Sequence, residues 1–524
     1  MSIKSLKLKN ERIFLLALAI LFIAMPACDL TEPTYSEFTP DTFYDNETAV
    51  LTSLSGIYRD FALIPTSNEG YRVLELVADQ VIILGKIQGW WDDYSYHNLT
   101  WHEWNASNRR IEDMWNRMFT TVGQANALIS SLENSNLEEP GPIAELKAMR
   151  AYAYFFLMDL YGNVPVFTEP KVDPNNLPKQ NTRAEVFDFV VEELKAAAKI
   201  LPSANDVGNE YYGRITKEAV YGILAIAYLN AEVFTGTPRY EMAINYADSV
   251  IESNAFRLLD DYNANFAHDN ANNDEMIFAA VYAPNDPGGI GQTFVQKVMP
   301  GISGGLFGLP YTPQNGYSVR SSVVDLYEDQ DVRKDIFMTT GPLLDPRNGD
   351  TVYVERVVPD GNSVLYVPGE STEGPVPYDV IKPTELRNQP MNAGVNWIKW
   401  RLDPNTNGGN ASNDIAWIRY ADILLIKAEA QLRLGTGDPL SLVNRVRERS
   451  NATPLDNLTL NDILDERGRE LVFEMSRRRD LIRFDKFNEP WEFKEQSEES
   501  RKLFPIPASA IESNPNLKPN SFFN

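Results

Sequence analysis

The stretch TKEAVYGILAIAYLNAEVFTGTPRYEMAINYADSVIES, residues 216–253, decides the reading of the fold. Apolar residues recur at helical spacing through both of its halves, so it predicts two helices, Thr216 to Phe234 and Tyr240 to Ser253. Small residues at Ala219, Ala225, Ala227, Ala243 and Ala247 lie between bulky ones. Such a surface lets one helix approach another closely and stack on the next pair. Thr216 supplies a capping oxygen at the start.

The same periodicity runs outward in both directions. It predicts helices over Glu47 to Arg59, from near Leu74, and over Arg110 to Leu132, Pro142 to Tyr161 and Arg183 to Leu201. Further on it predicts Asp414 to Leu434, Pro439 to Ser450 and Leu460 to Phe484. In style the pairs resemble tetratricopeptide units of about 34 residues, without meeting that repeat's full consensus. Between about 256 and 412 the pattern dissolves into short β-like runs, such as Met276 to Tyr282 and Thr351 to Val358, set among Gly, Pro and Asn. So long and aromatic a stretch reads as a lobe inserted in the helical array. The expected fold is mainly α: a tetratricopeptide-like helix-pair array with an inserted loop-rich lobe containing short β-strands. Three regions follow: a signal over 1–27, helix pairs over 28–255, and a C-terminal region over 256–524. The last divides into the lobe (about 256–412), closing helices (about 413–484) and a tail.

The chain of 524 residues carries 73 acidic against 48 basic residues, a formal charge of −25. That charge repels polyanions at long range, and no run of Lys or Arg offers a basic patch, so no nucleic-acid partner is expected. One cysteine makes no internal disulfide, and with only His97, His102 and His268 beside it the chain lacks ligands for a structural zinc or a CxxC redox centre. No metal site and no cofactor is expected.

The first residues read as an export signal. Lys4, Lys7, Lys9 and Arg12 precede an apolar run from Ile13 to Met25, then Pro26-Ala27-Cys28. The run is shorter than the 18 or so residues of a spanning helix. The lone Cys28 after a small residue resembles a bacterial lipobox, although Met25 and Pro26 depart from its usual residues. Removal of residues 1–27 takes away four basic residues and one acidic, leaving a formal charge of −28. Residues 29–45 read as an extended tether.

Four constellations could carry chemistry. Gly301-Ile-Ser303-Gly-Gly305 has the GxSxG pattern, but every histidine lies upstream of Ser303 and prolines flank it, so the base of a hydrolase triad is missing. Asp403 to Asp414 has the oxygen spacing of a calcium loop, without the glutamate at the twelfth position or the preceding helix that an EF-hand needs. Glu466, Glu470 and Glu474 form a stripe at every fourth position among Arg467, Arg469, Arg477, Arg478 and Arg479, which favours an ion-pair lattice over acid/base catalysis. The segment GKIQGWWDDYSYHNLTWHEW, residues 85–104, is too polar and Gly-broken for a core helix and too aromatic for an ordinary loop. In it Trp90, Trp91, Asp92, Asp93 and Tyr94 combine ring faces, which stack on the C–H faces of sugars, with carboxylates that accept hydroxyl hydrogens. Adjacent extended residues point opposite ways, so only one of Trp90 and Trp91 is expected to face a ligand. The plain alternative is that these tryptophans are core residues.

Arg150-Ala-Tyr-Ala-Tyr through Leu160-Tyr-Gly-Asn-Val-Pro165, and Ile418-Arg-Tyr-Ala-Asp through Lys427-Ala-Glu-Ala430, resemble hallmarks of the SusD/RagB family of Bacteroidota lipoproteins. Val443-Asn-Arg-Val-Arg447, Ile463-Leu-Asp-Glu-Arg467, Glu470-Leu-Val-Phe-Glu474, Arg478-Arg-Asp-Leu-Ile482 and Leu503-Phe-Pro-Ile-Pro507 continue the match in family order. The resemblance implies an outer-membrane lipoprotein, anchored through lipid on Cys28 and exposed at the cell surface. It would capture a glycan, without chemistry, for a SusC-like TonB-dependent transporter. It places the ligand at an aromatic arc to which Trp90 to Tyr94 correspond by region, with Phe307, Tyr311 and Tyr317 of the lobe as further contributors. An oligopeptide ligand is the first alternative. A glycosidase is the second, and it is disfavoured because the sequence neighbours Asp92 and Asp93 are poorly placed to flank a glycosidic bond.

Overall fold

A computed structural model describes residues 47–66, 70–86, 90, 94–135, 140–286, 289–301, 304, 309–338, 341–343, 350–357, 363–365, 376–377, 379–402, 406 and 409–520. The signal, Cys28 and the tether lie outside them, as do Trp91, Asp92, Asp93 and Phe307.

The long helices are α1 (Glu47–Leu63), α2 (Arg109–Glu133), α3 (Gly141–Tyr161), α4 (Arg183–Ala198), α5 (Lys217–Leu229), α6 (Tyr240–Glu252), α7 (Tyr420–Leu434), α8 (Pro439–Arg449), α9 (Leu460–Glu470) and α10 (Arg477–Arg483). Each of α2 to α6 packs on the next, and α7 packs on α6, so the array continues across the inserted lobe into α8 and α9. Local chemistry sets the starts. Thr182 and Glu185 form a reciprocal capping box on α4, Thr459 and Asp462 do the same on α9, and Asp438 caps α8 ahead of Pro439. Ala219, Ala225, Ala227, Ala243 and Ala247 are all fully buried, as close stacking of α5 on α6 requires.

Four predicted helices differ from the structure. The helix expected from near Leu74 ends there instead: the short helix Gly70–Glu75 stops ahead of the strand Val81–Ile83. Residues Ile415–Arg419 form a strand, and only then does α7 begin. The stretch 216–234 breaks at Asn230 into α5 and the short helix Ala231–Thr235; the Asn230 side chain donates to the Ile226 carbonyl and accepts from Arg483. The stretch 460–484 breaks at 471–476, where Phe473 and Met475 adopt φ of 67° and 61°.

The strands of the lobe and those that pair with it are short and antiparallel. We label β1 (Val81–Ile83), β2 (Met276–Ala280), β3 (Tyr317–Val319), β4 (Phe337–Met338), β5 (Asn396–Trp397) and β6 (Ile415–Arg419). β2 pairs with β6 across the whole lobe, and β4 pairs with β5. β1 pairs with β3, setting Ile83 against Tyr317. That last pairing positions the candidate site, because Trp90 follows β1 in the chain and residues 309–316 lead into β3.

Candidate functional site

The node behind the site is Lys86, buried just past the end of β1. Its Nζ donates to Asn315 Oδ1 at 3.3 Å, to the Met391 carbonyl at 3.4 Å and to the Ala393 carbonyl. Asn315 donates in turn to the Met391 carbonyl at 2.6 Å. Gly85 exchanges backbone bonds with the same segment, donating to Leu386 O at 2.7 Å and accepting from Gln389 N at 3.0 Å. Gly85 and Lys86 are thereby tied to Asn315 and to the 386–393 segment. Burial pushes the Lys86 ammonium down to about 7.

Trp90 lies on this node, at φ 70°. Its Nε1 donates to the Gln314 carbonyl at 2.8 Å. The indole rests on the backbone of Gly316, where a Cβ would meet ring atoms at 2.3 Å, and no residue other than glycine leaves room for it. Below it stands Tyr317, with ring centroids 5.8 Å apart, whose hydroxyl accepts from Arg72 Nε at 3.0 Å. Tyr317 is 1% exposed. That corrects its assignment as a ligand residue: pairing in β3 turns it into the core, where it supports Trp90 from beneath. Tyr311 is half-buried on the adjoining 309–316 segment.

Tyr94 is 39% exposed, at φ 66° before the short helix Ser95–Trp101. The Arg387 guanidinium lies 4.7 Å from its ring centroid and 5.8 Å from that of Trp101. His97 is buried beneath, with ring centroids 6.2 Å from Tyr94 and 5.5 Å from Trp101. Burial, then the Arg387 charge, lowers its imidazole to about 4, so it is neutral near pH 7. Sequence reasoning missed Lys86 and Arg387. Neither belongs to a motif, and each gains its neighbours only through tertiary pairing. The aromatic segment itself divides: Tyr96 and Trp104 are core, the latter 2% exposed, whereas Trp90, Tyr94 and Trp101 remain at the surface.

The other constellations resolve structurally. Glu466, Glu470 and Glu474 still converge despite the helix break, but most of their partners come from elsewhere in the chain. Arg333 meets Glu466 at 2.7 Å and Glu470 at 3.0 Å; Arg419 meets Glu470 at 3.0 Å and Glu474 at 2.7 Å; Arg449 meets Glu470 at 2.5 Å; and Lys399 meets Glu474 at 2.6 Å. Of the neighbouring arginines, Arg469 joins this lattice through Glu466, while Arg467, Arg477 and Arg478 pair with Asp480, Asp79 and Asp159. Asp414 is buried and accepts from Tyr282 N and the Tyr212 hydroxyl, each at 2.8 Å. Ser303 and residues 403–405 lie outside the described residues. A separate apolar pocket of about 430 Å³ lies between α1 and β2, floored by Phe61, Phe278 and Trp417.

Residues 274–523 match the family model described as the SusD family, and residues 39–229 match one described as starch-binding, associating with outer membrane. The starch-binding protein SusD of Bacteroides thetaiotaomicron is 26% identical over 467 residues, 82% of this chain and 82% of that protein. A crystal structure of a SusD superfamily protein from Parabacteroides distasonis superposes with a TM-score of 0.72 at 20% identity, covering 90% of this chain and 98% of that one. Surface glycan-binding protein A from B. thetaiotaomicron, solved in complex with laminarihexaose, superposes at 0.69 with 21% identity, covering 90% and 99%. The chain belongs to the SusD/RagB family.

Proposed function

We propose that this chain is a non-catalytic, glycan-binding lipoprotein of the outer membrane, exposed at the cell surface and held by lipid on Cys28. It captures oligo- or polysaccharide and passes it to a SusC-like TonB-dependent transporter. Trp90, Tyr94 and Tyr311 face the ligand in this reading, with Trp91, Asp92 and Asp93 adjoining them in sequence. The observation that carries it is Trp90: an indole seated on Gly316 and fixed by its own N–H bond to Gln314, the pre-ordered ring that sugar stacking uses. The relatives' glycan ligands support the same class, and the salt-bridged state of Glu466, Glu470 and Glu474 supports a role without chemistry.

Calorimetry of the full chain, in a detergent without a sugar headgroup, against a panel of neutral and acidic oligosaccharides tests the reading. Trp90→Ala is expected to weaken the tightest ligand by roughly tenfold or more, the loss of one stacked ring. Unchanged affinity in the Trp90→Ala/Trp91→Ala double variant would remove the platform, and product formation would make the protein an enzyme. The anchor has its own assay: Cys28→Ala is expected to move the protein from the membrane to the soluble fraction, and continued sedimentation with membranes speaks against lipidation.

A further inference from the structure

We propose that Arg387 sets the specificity of this site and selects acidic glycans, those bearing carboxylate or sulfate groups. The inference rests on the glycan reading above and narrows it to a class of sugar.

The structure spends several residues on placing one guanidinium. The backbone at 386–389 is held from both sides by Gly85, through the Leu386 and Gln389 bonds. A Cβ on Gly85 would lie 3.5 Å from Arg387 Cα and 3.4 Å from Leu386 O, so the two segments run in close contact there. The Gln389 side chain donates to the Arg387 carbonyl at 3.0 Å. Tyr94 and Trp101 then flank the side chain, and the Tyr94 ring remains exposed. A stacked guanidinium keeps its N–H fork free in the ring plane, which suits bidentate contact with a carboxylate or sulfate.

Two further observations point to an external anion. Among the described residues Arg387 forms no ion pair with a carboxylate, whereas the nearby Lys382 is paired with Glu492 at 3.9 Å. The guanidinium also covers a face of Tyr94, so a neutral sugar stacking there must first displace it, whereas an anionic sugar meets it as a partner. Among the described residues, the titratable groups in ring contact with Tyr94 and Trp101 are Arg387 itself and His97, which is neutral near pH 7. The formal charge of −25 opposes an anionic ligand only at long range, since at physiological ionic strength such fields fade over about 8 Å.

The test uses matched sugars: oligogalacturonate and its methyl ester for the carboxylate arm, a sulfated galactan oligosaccharide and its desulfated form for the sulfate arm, and neutral malto- and laminari-oligosaccharides. The full chain is expected to bind an acidic member at least about tenfold tighter than its uncharged counterpart. Arg387→Ala abolishes that preference without shifting the thermal midpoint, because the side chain is exposed. Arg387→Lys restores only part of it, because lysine lacks the planar fork. A neutral sugar as the tightest ligand, or an acid preference that survives Arg387→Ala, overturns the proposal. If a neutral sugar binds and Trp90→Ala weakens it, this inference falls and the glycan reading stands; if no sugar binds, both fall.

Discussion

Glu470 is wholly buried and receives three guanidinium groups, those of Arg333, Arg419 and Arg449. Burial alone would raise its carboxyl, but the charges of Arg449, Arg419 and Arg333 outweigh burial and hold it well below the usual carboxylate range. A buried pair of this kind adds little over an apolar substitute, yet removing one member strands the others. Glu470→Gln is therefore expected to cost about 3–5 kcal/mol in urea unfolding. A loss within about 0.5 kcal/mol, as for an ordinary surface change, would show that the lattice does not hold the closing helices. The every-fourth-residue glutamates and the abundance of arginine were legible in the sequence. The partners were not, because Arg333 and Arg419 come from positions 133 to 137 and 51 residues away.

At the scale of elements, the long helices were readable because α-helical burial writes its period directly into neighbouring residues. The reading failed where a distant element overrides the local pattern. Residues 415–419 join the helical periodicity of α7 from the sequence alone, yet β2, some 135 residues upstream, captures them as β6. The break at 471–476 is also made from outside. Phe473 stacks on Trp397 with centroids 4.2 Å apart, the Met475 N–H donates to the Glu75 carboxyl group, and Lys399 reaches the Val472 carbonyl at 2.7 Å. These contacts stabilise two left-handed residues that a free helix would avoid. The aromatic content of the segment at 85–104 serves two ends. The fully buried Trp104 belongs to the core, and only the loop pairing decides which rings remain outside.

Across the whole molecule, the buried ion pairs make stability depend on pH. Burial raises Glu466, but Arg333, Arg469 and Arg447 prevail and hold it at about 2; burial likewise raises Asp480, but Arg467 and Arg483 hold it at about 2. Both lie below their unfolded values, so the folded chain binds fewer protons than the unfolded one between about pH 4.5 and 2. Their contribution is present above that window and lost as pH falls through it. Glu75 acts with opposite sign: burial lifts it to about 8, so its contribution is full below about 4.5 and fades as pH rises toward 8. Urea midpoints measured from pH 2.5 to 8.5 are expected to fall steeply below about pH 4.5 and to decline gently above it, with Glu75→Gln flattening the upper limb. A midpoint constant from pH 5 down to 2.5 would contradict the assigned ion pairs.

The sequence by itself determined the helical array, the loop-rich interruption and the family, because these are written in local period, composition and short motifs. Tertiary structure decided the rest. It turned Tyr317 inward and set Trp90 on Gly316. It also placed Lys86 among carbonyls and Arg387 between Tyr94 and Trp101. Each of those outcomes depends on pairing between segments a hundred or more residues apart, and such contacts leave no mark on the residues beside them in the chain.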